Sequence, residues 1–319
     1  MRKTSPCAKK YIKESGAAVV IFIFLITLTI SILVAQNLSV TGLRFDRERR
    51  TALALAEAKT ALIGWSASQN TPGILPCPED VSLIGTPNEG SSKSSCNSLP
   101  SMGRLPWKTL GIGDLRDGNG DKLWYVISNG FRASPINLNS LSQLTVDNQQ
   151  QAAVAIIFSP GLALEGQNRS AANSTNVHYY LDLINSSGNN GFVTKGQADH
   201  FNDQLKVITK NDLFKVVNFR ILGEIRGDSS QGLNRYFSSY GNYPFADVNF
   251  DGDADNNQLI GAPSYNGSLL ANSLFFSTQK KQMLVNNGWT SLVQYSLNED
   301  RKKVVLILGN QLLVLGSLP

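Results

Sequence analysis

The sequence predicts an α+β fold in which a long N-terminal helix packs on an antiparallel sheet and a second helix-plus-sheet unit follows. Three observations lead to this class. Residues 17–35 form an uncharged run without Pro or Gly. Residues 37–70 lack Pro and carry apolar side chains at helical spacing. Beyond them, the order of helix, turn and strands occurs twice.

The first half of the N-terminal helix is predicted to span a membrane. As a helix, residues 17–35 would measure about 28 Å, close to the hydrocarbon thickness of a bilayer. Five basic residues precede the run, which predicts that this leader stays in the cytoplasm and that the chain after Ala35 crosses the membrane. A buried core helix and a cleavable secretory signal peptide are the alternatives.

The second half of the helix is predicted to be amphipathic. Its apolar side chains recur at spacings of three, four and seven, so they share one face: Phe45, Ala52, Leu55, Ala58, Leu62 and Trp65. This face should pack on the sheet that follows.

Composition and charge exclude several classes of protein. The chain has 319 residues, of which 42 % are hydrophobic and 17 % charged, which excludes a disordered chain and a multi-span membrane protein. The net charge of +5 arises at one end, because residues 1–50 hold nine basic and three acidic residues. The other 269 residues carry 20 basic and 21 acidic side chains. No nucleic-acid partner is therefore expected.

The cysteines predict one disulfide. Cys7 lies in the basic leader, whereas Cys77 and Cys96 lie beyond the predicted membrane segment in an oxidising compartment. A bond between them would close a polar, turn-rich loop and stabilise the fold by about 3 kcal/mol. Two unpaired thiols are the alternative.

The outer portion shows an internal repeat. Residues 211–240 predict a second helix that leads into a turn at 241–247, as the first helix leads into the turn at 73–80. The segments 120–128 and 152–161 then correspond to 288–297 and 304–308, each pair predicting two strands.

An acidic loop at 246–257 is the candidate metal site. Oxygen-bearing side chains alternate there with Gly252 sixth in the series: Asp247, Asn249, Asp251, Asp253 and Asp255. This spacing is typical of a calcium loop, although Gln258 stands where a bidentate Glu would complete the shell. A solvated acidic turn is the alternative. A weaker cluster of the same kind is formed by Asp114, Asp117, Asn119 and Asp121.

Catalysis finds little support in the sequence. The two histidines, His178 and His200, lie outside any recognisable nucleophile motif, and neither a P-loop nor a dinucleotide-binding glycine motif occurs. The protein is therefore not expected to be an enzyme.

The N-terminus resembles that of type IV pilins and type II secretion pseudopilins. Gly16 stands between a basic leader and an apolar helix, and the segment from Gly103 to Ser128 is similar to the loop and first strands of such proteins. The resemblance implies cleavage by a prepilin peptidase after Gly16, with Ala17 as the methylated mature N-terminus. Most of the family carries Glu at the fifth mature position, where Ile21 stands here. That departure favours a minor or priming subunit over a major one.

Under this resemblance the chain divides into five parts. They are a cytoplasmic leader (1–16), a transmembrane helix (17–36), a first pilin-like periplasmic domain (37–164), an Asn/Ser/Gly-rich connection (165–210) and a second pilin-like domain (211–319).

The implied function is that of a minor structural subunit of a type IV pilus or type II secretion apparatus, acting in filament initiation, at a tip or in adhesion. Its expected partners are the inner membrane of a Gram-negative bacterium, a prepilin peptidase and other pilin or pseudopilin subunits bound through the N-terminal helix. After assembly it would reach the pilus or cell surface. The alternative is a membrane-tethered periplasmic module that binds calcium or another ligand.

Overall fold

The computed structural model describes residues 15–96, 101–196, 200–265 and 274–316, without the side chains of residues 15–19, 31–41 and 101. Most of the predicted leader, including Cys7, lies outside the described residues. Contacts divide the chain between Arg49 and Arg50 into two compact units.

Four α-helices occur in the described ranges: α1 Ser15–Ser68, α2 Lys210–Arg226, α3 Gly232–Tyr240 and α4 Thr278–Asn286. Short 3₁₀ turns lie at Val81–Leu83, Asn129–Phe131, Ala171–Asn173, Val177–Tyr179, Leu183–Ser186 and Thr290–Leu292.

The predicted membrane-spanning first half of α1, residues 17–36, is wrong. Within the part of the chain that the structure describes, no helix combines the length and the apolarity that crossing a bilayer requires.

The second half of α1 packs through a shorter face than the sequence predicts. Leu55, Ala58 and Leu62 are buried, whereas Ala52 is exposed. Thr51 is buried, and its hydroxyl accepts the Gly118 N–H at 2.9 Å. Within the 50–319 unit, the first buried contact of α1 is therefore this hydrogen bond of Thr51, one turn before Leu55.

Eleven strands occur in the described residues. In chain order they are β1 Ser101–Arg104, β2 Trp124–Ile127, β3 Leu144–Val146, β4 Gln149–Ala153, β5 Ala155–Ser159, β6 Gly191–Phe192, β7 Gln204–Ile208, β8 Ile260–Gly261, β9 Gln294–Leu297, β10 Val304–Leu308 and β11 Gln311–Leu315. They form two four-stranded sheets, β1-β2-β5-β7 and β11-β10-β9-β8, and a third sheet, β4-β3-β6. The two large sheets are antiparallel, whereas β3 and β6 run parallel.

The central strands of the first sheet are buried on both faces. One face of β2 and β5 joins the main hydrophobic cluster through Tyr125 and Ile157, and the other joins a second cluster through Trp124 and Phe158. That second cluster also contains residues of the third sheet and of the segment around Tyr180. Burial on both faces explains why β2 and β5 read as unbroken apolar runs.

The predicted second helix-plus-sheet unit is present as α2, α3 and the sheet β11-β10-β9-β8, but it has no core of its own. The buried face of α2 belongs to the same cluster as Leu62 of α1, Tyr125 of the first sheet and Leu306 of the second. The two large sheets therefore share one core, and a third sheet that the sequence did not predict adds to them.

The single helix predicted at 211–240 is wrong, because this segment forms the two helices α2 and α3. Gly227 and Gly232 adopt φ values of +66° and +78°, which L side chains rarely adopt, so the chain breaks between α2 and α3. The corresponding segments of the repeat nevertheless occupy similar strand pairs, since Tyr125 of β2 lies opposite Ile157 and Tyr295 of β9 opposite Leu306.

Candidate functional site

The acidic loop follows α3 and leads to β8. Its first carboxylate residue, Asp247, is completely buried. The Asp247 N–H donates to the Ala262 carbonyl at 2.9 Å, and the Ala262 N–H donates to the Asp247 carbonyl at 2.7 Å. This double hydrogen bond closes the loop at its base.

The Asp247 carboxylate organises the turn from inside. Its Oδ1 accepts the Phe250 N–H at 2.7 Å and its Oδ2 accepts the Gly252 N–H at 2.8 Å. Burial raises the pKa of Asp247, and the negative charges of Asp251 and Asp255 act in the same direction, whereas the two N–H donors oppose the rise. The N–H groups of Phe250 and Gly252 thus stabilise the buried Asp247 carboxylate.

Two further carboxylates and one amide of the loop also accept backbone N–H groups. Asp255 Oδ2 accepts the Val248 N–H at 2.8 Å, and Asp251 Oδ1 accepts the Asp253 N–H at 2.8 Å. Asn249 Oδ1 accepts the Asp251 N–H at 3.0 Å. These are the short-range contacts by which Asp and Asn side chains stabilise turns.

A cavity of 180 Å³ adjoins the base of the loop, lined by Asp247, Phe250 and Tyr265 among others. Within the described ranges, no three His, Cys, Asp or Glu side chains are grouped so that they could hold a metal ion. The arrangement seen is that of a turn held by its own carboxylates, and calcium binding by Asp247, Asn249, Asp251, Asp253 and Asp255 stays a prediction.

The weaker cluster forms a capped turn. Asp117 is buried, and its Oδ1 accepts the N–H groups of Asn119 and Asp121 at 2.9 and 3.0 Å. Asp114 and Asp121 each pair with an arginine, at 2.7 Å from Arg116 and at 2.5 Å from Arg169. Basic side chains therefore balance these carboxylates.

The two predicted disulfide cysteines are joined. Cys77 and Cys96 form a bond with their Cα atoms 5.7 Å apart. The loop that they close also contains a buried carboxylate that sequence reasoning missed. Glu79 Oε1 accepts the Gly90 N–H at 2.9 Å, and burial raises the Glu79 pKa against the opposing charges of Lys122 and Arg104.

Sequence reasoning also missed a pair of buried carboxylates, Asp182 and Asp203. Each accepts the backbone N–H of the other: Asp203 Oδ2 from Asp182 at 2.9 Å, and Asp182 Oδ2 from Asp203 at 3.2 Å. Asn185 Nδ2 donates to Asp203 at 2.9 Å and Gln167 Nε2 to Asp182 at 2.8 Å. The two residues are 21 positions apart, so no local sequence pattern predicts the contact.

Burial raises the pKa of Asp203 to about 8, with the negative charge of Asp182 acting in the same direction. The N–H donors from Asp182 and Asn185 and the positive charge of Arg169 oppose the rise. Gln167 bridges Arg169 and Asp182. The Arg169 Nη2 donates to Gln167 Oε1 at 2.6 Å, and Gln167 Nε2 donates to Asp182. The pair thus links the 165–196 segment to the residues that precede β7.

The predicted processing site, Gly16–Ala17, lies in the first turn of α1, where only the backbone is described. The large apolar side chains that follow, from Val20 to Ile30, are between 41 % and 67 % exposed. Thr27 and Thr29 interrupt them, and each hydroxyl donates to the carbonyl three residues earlier at 2.9 Å. This stretch of α1 is therefore apolar around its whole circumference.

Both histidines, His178 and His200, are exposed. Comparison with known protein families, with curated proteins and with solved structures finds no significant match to the chain.

Proposed function

We propose that the protein is a minor pilin-like or pseudopilin-like structural subunit of a type IV pilus or type II secretion apparatus. The observation that carries the proposal is the exposed apolar surface of α1 from Val20 to Ile30. A helix that is apolar all round needs cover from other apolar groups, since exposed patches of this kind mark interaction surfaces. Helices of neighbouring subunits would supply that cover.

The local hydrogen bonds of the two threonines support this role. Because Thr27 and Thr29 donate to their own helix, they leave no unsatisfied hydroxyl donor on the surface that would pack against a neighbour. Ile21 extends the apolar surface where most of the family has Glu. Assembly through helix packing without an ion pair suits a minor or priming subunit.

The partners and the location belong to the same proposal. The basic residues before Gly16 support recognition by a prepilin peptidase at the inner membrane of a Gram-negative bacterium. The disulfide supports exposure of residues 77–96 to an oxidising compartment such as the periplasm. Incorporation in a filament would bring these residues to the cell surface.

Cleavage by the peptidase tests the proposal directly. The full chain is expressed with and without an active prepilin peptidase, and its intact mass is measured. We expect a loss of 16 residues, ending at Gly16, only when the peptidase is present. Gly16→Leu should block the loss.

Gly42→Leu is the matched control, since Gly42 lies in the same helix and a side chain there would meet nothing within 4 Å. This variant should be cleaved like the unchanged chain. An unchanged mass with active peptidase, in a chain that reaches the envelope fraction, would reject the proposal.

The alternative is a periplasmic calcium-binding module for which α1 is only an attachment. The acidic loop is the observation that favours it, because its carboxylates repel one another and a divalent cation would relieve that repulsion. Calcium in the millimolar range should then raise the melting temperature relative to chelator. Asp251→Ala should abolish the rise, whereas Asp228→Ala, at an exposed turn, should keep it. Identical melting in both conditions would leave the turn interpretation standing.

A further inference from the structure

The last strand of the second sheet has an open edge. In the described residues β11 pairs only with β10, over the register from Val304 opposite Leu315 to Leu308 opposite Gln311. Its sequence, Gln-Leu-Leu-Val-Leu, contains no charge and no Pro. Leu312 and Val314 are exposed. Edge strands usually carry a lysine, a proline or a bulge that prevents further pairing.

The edge strand of the first sheet shows the usual protection. β7 pairs only with β5 in the described residues and carries the exposed Lys206 in its middle. Because β7 is protected by a lysine and β11 is not, the open edge of β11 is the better of these two surfaces for an added strand.

Charges near β11 indicate what kind of strand would bind. A cavity of 560 Å³ lies at the Gln311 end of the strand, between the start of α2 and the turn that connects β10 to β11. Lys210 and Lys215 line it, and no acidic residue does. Neither ammonium group forms an ion pair with a described carboxylate, and burial lowers the pKa of Lys210. An acidic group in this cavity would offset the cost of burying that charge.

The same cavity contains an unsatisfied acceptor. Asn218 is only 3 % exposed and lines the cavity. Its Nδ2 donates to the Leu308 carbonyl at 3.2 Å, but its Oδ1 accepts no hydrogen bond from the described residues. A buried acceptor without a donor costs free energy, which a donor on an incoming chain would recover.

The charge at the other end of β11 opposes pairing with a second copy. The 299–303 turn, which leads into β10 opposite Leu315, has three basic and two acidic side chains. Two β11 strands related by a two-fold axis would pair antiparallel and place this positive turn beside Lys210 and Lys215 of the other copy. The net charge of this turn, three basic less two acidic side chains or +1, would then face two lysines at both ends, which favours an acidic strand over a second copy.

We propose that β11 binds an extended acidic segment of a partner protein, which adds to the sheet as a strand and places a carboxylate between Lys210 and Lys215. The backbone edge provides the pairing, and the two lysines select the charge of the partner. The site goes beyond the proposed subunit role, which depends on α1.

Synthetic strand peptides test the proposal on the full chain in detergent. One peptide has alternating Val and Thr with Glu at both ends, and a matched peptide has Lys in place of Glu. Binding is measured by fluorescence anisotropy. We expect the acidic peptide to bind and the basic one to bind at least about tenfold more weakly. Lys210→Glu with Lys215→Glu should reverse this preference, while Lys206→Glu on β7 should leave it unchanged.

Backbone methylation separates strand pairing from simple charge attraction. Two further acidic peptides carry N-methyl groups on alternate amides, one on the odd positions and one on the even positions. One of them should lose binding and the other keep it, because successive N–H groups of a strand point in opposite directions.

Three results would overturn the proposal. They are no binding of the acidic peptide, equal binding of the acidic and basic peptides, and indifference to both methylation patterns. Self-association of the full chain that Leu312→Lys abolishes would instead assign the edge to a second copy and would equally reject an acidic partner.

Discussion

At the scale of single residues, buried carboxylates are the most unusual feature of the molecule. Glu79, Asp203 and Asp247 all have raised pKa values, and burial is the largest cause in each case. Hydrogen bonds from backbone N–H groups oppose the rise at all three. The protein therefore holds these groups in positions that favour their protonated form relative to water.

Asp203 makes the stability of the protein depend on pH. Because its folded pKa of about 8 lies above its ordinary value of 3.8, its contribution is fully present only below that ordinary value. That contribution is lost as the pH rises through about 8. The slope is up to about 1.4 kcal/mol per pH unit for one proton. Asp203→Asn, which mimics the neutral acid, should flatten the unfolding free energy measured by denaturant between about pH 5 and pH 8.

Asp228 supplies the control for this measurement. It is exposed, and hydrogen bonds from Ser230 lower its pKa. Its contribution is present above its unfolded pKa and is lost only as the pH falls through the folded value. Asp228→Asn should therefore leave the slope at neutral pH unchanged, and an equal flattening by both variants would refute the role given to Asp203.

At the scale of elements, glycines decide where helices end. Gly227 stands at the C-terminus of α2 with φ +66°, and a Cβ there would lie 1.9 Å from the Gln231 carbonyl oxygen. Gly223 lies one turn earlier in the same helix, and a Cβ there would meet nothing within 4 Å. The same residue type thus has opposite roles at two positions four residues apart.

Alanine substitutions should separate these two roles. Gly227→Ala should destabilise the protein by more than about 1 kcal/mol, because the backbone conformation and the space both exclude a side chain. Gly223→Ala should stabilise it by about 0.5–1 kcal/mol through helix propensity. Urea unfolding of both variants measures the difference. Similar changes of the same sign would show that the α2–α3 break does not depend on Gly227.

At the scale of the whole molecule, the disulfide stabilises residues 77–96, which bury few side chains of their own. The bond spans 19 positions, and most side chains between its cysteines are exposed or half-buried. Cys96 belongs to neither of the two apolar clusters. The loop therefore depends on its disulfide and on contacts such as the hydrogen bond from the Gly90 N–H to Glu79.

Removing the crosslink should therefore lower the stability of the whole chain. Cys77→Ser with Cys96→Ser should reduce the unfolding free energy by about 3 kcal/mol. In the unchanged, uncleaved chain, alkylation under denaturing and non-reducing conditions should modify Cys7 alone. Modification of all three thiols would show that the bond does not form in the protein as isolated.

Local patterns predicted much of the secondary structure but less of the candidate site. The strands β2, β5 and β10 lie within the segments 120–128, 152–161 and 304–308 that predict strands, although the second segment also contains the end of β4. The acidic loop is a turn, as Asp and Asn at alternate positions also predict. The Asp182–Asp203 pair could not be predicted, because its partners are distant in sequence and its chemistry arises only from burial.

The sequence by itself determined the α+β class, the Cys77–Cys96 pair and the bounds of β10, because these depend on composition and on neighbours along the chain. Tertiary structure alone decided that the two large sheets share one core and that, among the described strands, β11 pairs on one side only. Burial and pairing are properties of elements packed together, so no pattern within one element specifies them.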